Sequence, residues 1–155
     1  MLKRTLFPWL FFCLFAVVRL EAANVSVLVI ETGLPREGSA NAYSVTWENG
    51  IMDTLFDAGH IVSNAPIMRL VTRAKDGFPD EAERDWKEAQ QSGMGYFLIA
   101  VVNYPQPYNV SLRLFNTSSP EMLHEVKYVY RTPRSDKEEY ENIKRAIGEI
   151  AARLR

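Results

Sequence analysis

Gly33 and Gly38 stand five residues apart in the segment TGLPREGSAN, between an apolar run and a helical pattern. A phosphate loop with that spacing needs Lys and then Ser or Thr after its second glycine, to neutralise phosphate and hold magnesium. Ser39 and Ala40 follow Gly38 instead, so the segment reads as an ordinary loop. The helix start behind it still offers free N–H groups to an anion. Glu31 lies at the C-terminal end of the apolar run, where open α/β sheets gather their ligands. A single carboxylate with no evident partner reads as a solvated loop acid.

Nucleophilic chemistry lacks its parts. No G-x-S-x-G elbow occurs, and the two histidines, His60 and His124, are far apart in sequence. His60 follows Gly59 at a helix end, where the helix dipole favours a cation. His124 shares a strand face with Val126 and Tyr128 and reads as a hydrogen-bonded structural residue. A metal site would need both to converge with a carboxylate, so none is expected. The single cysteine, Cys13, lies in an apolar N-terminal run and follows Phe11-Phe12, not the small residue of a lipidation signal.

That N-terminal run gives the chain its address. Lys3 and Arg4 precede apolar residues from Leu6 to Val18, and Ala22-Ala23 follow. A positive, then greasy, then small-residue order is that of a secretory signal peptide. The apolar run falls short of the roughly 20 residues that span a bilayer. We therefore expect residues 1–23 to be a signal peptide, cleaved after Ala22 or Ala23, with an uncleaved anchor as the other reading. Residues 24–155 then form one domain with no transmembrane segment and no thiol. They carry 15 basic against 18 acidic residues and no basic run, which argues against nucleic acid as a partner. Three N-x-S sequons, at Asn24, Asn109 and Asn116, report surface position at most.

The elements that must position any site follow from hydrophobic periodicity. NVSVLVIE, residues 24–31, is a buried strand. After the loop, Ser39 or Asn41 can cap a helix carrying Tyr43, Trp47, Ile51 and Leu55 on one face, ended by Gly59. Residues 60–64 form a second short strand. Pro66 then suits a helix start, with Ile67, Leu70 and Val71 at helical spacing. Asp80 can cap a charged helix over about 81–92. GYFLIAVV, residues 95–102, is a strand buried on both faces, and the connector YPQPY follows it. Val110, Leu112 and Leu114 alternate with Ser111 and Arg113 in a half-buried strand, which pairs with a second over 122–131. Ser135 and Glu138 have capping-box spacing at the start of a final amphipathic helix. The order β-α-β-α-α-β-β-β-α predicts a single α/β domain, a mixed sheet with helices packed on it in two or three layers.

With those elements in order, the chain resembles the CsgG/TolB-N-terminal-like bacterial envelope proteins. VSVLVIE is similar to the group's opening strand, and DTLFDAGHIVSNAP to its helix and short second strand. SGMGYFLIAVV is similar to the turn and central strand, and VSLRLFNTSSPEMLHE to the hairpin. Gly93-Met94-Gly95 stands where the group usually has Gly-Ala-Asp, and His60 and Asn64 replace basic residues around the second strand. The resemblance implies an exported module, periplasmic or secreted, that binds other envelope proteins or itself without cofactor or catalysis. Leu34, Arg36, Tyr104 and Tyr108 are the expected partner-binding residues, because exposed aromatics and Arg anchor interfaces. The alternative is a small-anion binder or hydrolase built on Glu31 and the loop 32–41.

Overall fold

The computed structural model describes residues 22–104, 108–130 and 135–154. Residues 1–21 of the expected signal segment, with Cys13, and the prolines of the YPQPY connector lie outside the described residues. A six-stranded mixed sheet forms the middle layer. Strand β1 (Asn24–Thr32) pairs in parallel with β4 (Tyr96–Asn103) on one side. On its other side it pairs in parallel with β2 (Ile61–Asn64) and then β3 (Met68–Leu70). Beyond β4 the sheet turns antiparallel through β5 (Tyr108–Asn116) and β6 (Ser119–Tyr130).

Helix α1 (Ala42–Asp57) and helix α3 (Asp136–Ala151) cover one face of the sheet. Val25, Val27 and Val29 of β1 and Leu98 of β4 meet Trp47, Ile51 and Leu55 of α1 and Ile143, Ile147 and Ile150 of α3. The opposite face buries Leu28, Ile30, Phe97, Ile99 and Phe115 under a 3-10 turn (Asp80–Ala82) and helix α2 (Glu83–Gln91). Leu98 and Ile99 thus bury fully on opposite faces, because successive strand side chains alternate. Continuous apolar runs in β1 and β4 are what a strand covered by helices on both sides requires.

The caps explain where the helices start and stop. Asn41 accepts the Tyr43 N–H at the start of α1, and Gly59 ends it with φ of 87°, a conformation that side chains avoid. Ser135 and Glu138 form the capping box of α3 in both directions. The expected single α/β domain with a mixed sheet is present, with three local differences. Residues 66–71 hold strand β3 where helical spacing suggested a helix, because pairing with β1 satisfies three residues in extended form. Pro79, not Asp80, precedes the turn into α2, with no side-chain cap. Ser111 and Arg113 of β5 are buried instead of facing solvent, since the segment around 74–77 lies over them.

Candidate functional site

The loop between β1 and α1 is organised by one ion pair. Glu31 and Arg69 are Cα partners in the parallel β1–β3 register, which puts their side chains on the same side of the sheet. Glu31 is fully buried. Its Oε2 accepts from Arg69 Nε at 2.8 Å and Nη2 at 2.7 Å, and its Oε1 accepts the Asn41 N–H at 2.6 Å. Two N–H donors of one guanidinium converging on a single carboxylate oxygen fix direction as well as distance. The rest of the guanidinium donates to the carbonyls of Pro35, Glu37 and Ser39, at 3.2, 3.0 and 2.6 Å. Gly38 has φ of 116°, and a Cβ there would come within 3.3 Å of Arg69 Nη1. The loop has no regular structure, yet three of its carbonyls are held by one cation.

Glu31 is therefore not the solvated acid that its sequence position suggests. Both of its oxygens accept hydrogen bonds that hold the loop. The partner was invisible in sequence, since Arg69 lies in the segment that reads as a helix.

The expected docking residues divide into two groups. Arg36 is exposed at the loop, and Leu34 is half-buried against the core below it. Tyr104 is buried, contrary to its expected role as an exposed anchor. Its hydroxyl is 2.8 Å from Ser44 Oγ, and burial pushes its pKa up to about 12. Tyr108 is half-buried. The rings of Tyr43, Tyr104 and Tyr108 pack together with centroids 6.0 to 6.2 Å apart, and Tyr43 Oη donates to Glu139 Oε1 at 2.7 Å. The tyrosines thus form a scaffold beneath the loop end of the sheet, tying α1, α3 and β5 together.

The histidines do not meet. His60 sits beside β2 at one edge of the sheet, and His124 lies in β6 at the other. His60 is buried, and its Nδ1 accepts the Ala23 N–H at 3.2 Å. Desolvation lowers its pKa, so the expected helix-dipole cation is replaced by a neutral acceptor. Among the described residues, no group of three His, Cys, Asp or Glu side chains is placed to hold a metal. No described helix is long and apolar enough to cross a membrane.

A second polar assembly, which alternation in β5 had assigned to solvent, lies on the α2 side of the sheet. Arg113 is buried and donates from Nη1 to the carbonyls of Lys75 and Gly77, at 2.7 and 3.0 Å. Its Nε donates to Glu125 Oε1 at 3.1 Å. These bonds fold the segment 73–77 over the sheet and wall off a cavity of about 150 Å³. Thr32, Asn103 and Asn109 form a hydrogen-bonded row across β1, β4 and β5 at its side. Asn109 is thus a bonded, half-buried member of this row, and Asn24 and Asn116 of the other sequons also hydrogen-bond within the fold.

No protein-family model and no curated protein matches this chain. Among solved structures, the PelC dodecamer from Paraburkholderia phytofirmans is similar at 14% identity and TM-score 0.49, covering 86% of this chain and 87% of that one. Lipoprotein GNA1162 from Neisseria meningitidis is similar at 17% identity and TM-score 0.46, covering 84% and 99%. The LpoB C-terminal domain from Escherichia coli is similar at 13% identity and TM-score 0.45, covering 72% and 84%. At these identities and scores, the likeness carries neither an activity nor a partner to this chain.

Proposed function

We propose that this chain is an exported, non-catalytic interaction module of the cell envelope, docking on other envelope proteins or on itself through the loop end of its sheet. The observation that carries the reading is the Arg69 guanidinium holding the carbonyls of Pro35, Glu37 and Ser39 while paired with Glu31. A loop ordered in advance loses little further entropy on binding, so its exposed side chains are usable contacts. Arg36 and Leu34 are the contact residues, and the tyrosine cluster supports them from below. The signal-like N-terminus and the element-by-element resemblance to CsgG/TolB-N-terminal-like proteins support the same setting.

A photo-crosslinking amino acid at position 36, with Lys87 on α2 as the control position, tests the reading in the native envelope. The expected result is a discrete adduct from 36 that is absent from 87 and lost when Leu34→Ala is added. An adduct of twice the chain mass means self-association, and any other defined mass means a separate partner. Identical adducts from both positions overturn the docking surface. Turnover of a substrate by the purified protein overturns the non-catalytic reading.

A further inference from the structure

We propose that the cavity walled by Arg113 is a binding site for a small oxyanion, a carboxylate or a phosphate, separate from the loop surface. Ser111 is only 4% exposed and lines the cavity, yet its hydroxyl has no hydrogen-bond partner. A buried hydroxyl left unpaired is costly, and a ligand accepting from it removes that cost. The row beside it points the same way. Thr32 Oγ1 donates to Asn103 Oδ1, and Asn103 Nδ2 donates to Asn109 Oδ1, which leaves the Asn109 amide NH2 as the donor end. Asn109 is also a lining residue.

Charge agrees with the donors. Arg73, Arg113 and Lys127 line the cavity against a single lining acid, Asp76. Glu125 pairs with both Arg113 and Lys127, at 3.1 and 2.9 Å, so one positive charge remains in excess across the group. Arg113 is committed to the wall, and Asp76 faces it at 3.7 Å. Arg73 and Lys127 stand at the exposed rim, and the Lys127 side chain is 58% exposed. A cation entering would find one acid already facing a guanidinium, whereas an oxyanion would find donors in the wall and cations at the mouth. The volume is about ten times what a single water needs, enough for a ligand of a few heavy atoms.

Amide NMR titrations of the purified chain with succinate and with inorganic phosphate, at constant ionic strength, test the site. Saturable shifts are expected at residues 73–76 and 110–113 with at least one probe, and the tighter of the two distinguishes carboxylate from phosphate chemistry. Ser111→Ala and Lys127→Gln should each weaken that binding by about tenfold. Ser111→Ala should keep or raise the melting temperature, because the hydroxyl it removes has no partner. Arg36→Glu should leave the titration unchanged, which separates this site from the docking surface. Absence of saturable shifts with both probes overturns the proposal, as does equal affinity in Ser111→Ala, Lys127→Gln and the parent.

Discussion

Arg69 sits directly opposite Glu31 in the β1–β3 register and closes a two-nitrogen bridge onto its carboxylate. The pair holds the shape of a loop that neither residue belongs to, since the same guanidinium reaches carbonyls at 35, 37 and 39. With the Glu31 side chain at zero exposure and that of Arg69 at 14%, the pair is a buried one. Its desolvation offsets much of its Coulomb attraction, so its main consequence is geometric.

Breaking the pair from one side leaves a buried charge without its counterion. Arg69→Met and Glu31→Gln should each lower unfolding free energy by about 3–5 kcal/mol in urea melts. The double variant Glu31→Gln/Arg69→Met should recover most of that loss, because neither charge then remains. The loop carbonyls stay unheld in both Arg69 variants, so tryptic cleavage after Arg36 should rise in the double variant even as stability returns. Unchanged cleavage in both variants would mean that the loop does not depend on Arg69.

The layered arrangement was legible because it rests on local patterns. The apolar runs of β1 and β4, the capping box at Ser135 and Glu138, and the stop at Gly59 each act within a few residues of their own position. Three residues at 67, 70 and 71 satisfy a helical stripe and a short extended segment equally well, and pairing with β1 decides for the strand. Much less of the site was legible. Arg69 lies 38 residues from Glu31, and the groups at Asn41, Lys75 and Gly77 that bond Glu31 and Arg113 are backbone N–H and carbonyl groups, which side-chain patterns do not mark. Tyr104 followed a buried strand into a proline-containing connector and so read as exposed, but three tyrosines pack one another there.

Two glycines in the helices should respond oppositely to the same substitution. A Cβ on Gly50 of α1 would meet Cδ1 and Cγ2 of Ile143 on α3, both at 3.0 Å. Ile143 is fully buried and has no room to withdraw. Gly50→Ala gains about 1 kcal/mol of helix propensity but should lose about 1–3 kcal/mol to overpacking, a net destabilisation. Gly148 on α3 is exposed, with nothing within 4 Å of the added carbon. Gly148→Ala should therefore stabilise by up to about 1 kcal/mol. Melting temperatures that rise for both variants would show that α1 and α3 are not in close contact at Gly50.

His60 should make the fold sensitive to acid. Its Nδ1 accepts the Ala23 N–H, and the Ala23 carbonyl in turn accepts the Ile61 N–H at 2.9 Å. Both bonds keep Ala23 in the core. Burial lowers the His60 pKa below its ordinary 6.5, so the folded chain keeps the ring neutral at a pH where the unfolded chain takes up a proton. The stability from this neutral ring is complete above pH 6.5 and declines as pH falls from there through the lowered folded pKa. Asparagine at this position offers a carbonyl acceptor to Ala23 and does not titrate. His60→Asn should therefore gain on the parent as the pH falls from 7.5 to 5, a difference that paired urea melts measure. A parent and variant whose stabilities fall in parallel across that range would show that His60 carries none of the acid sensitivity.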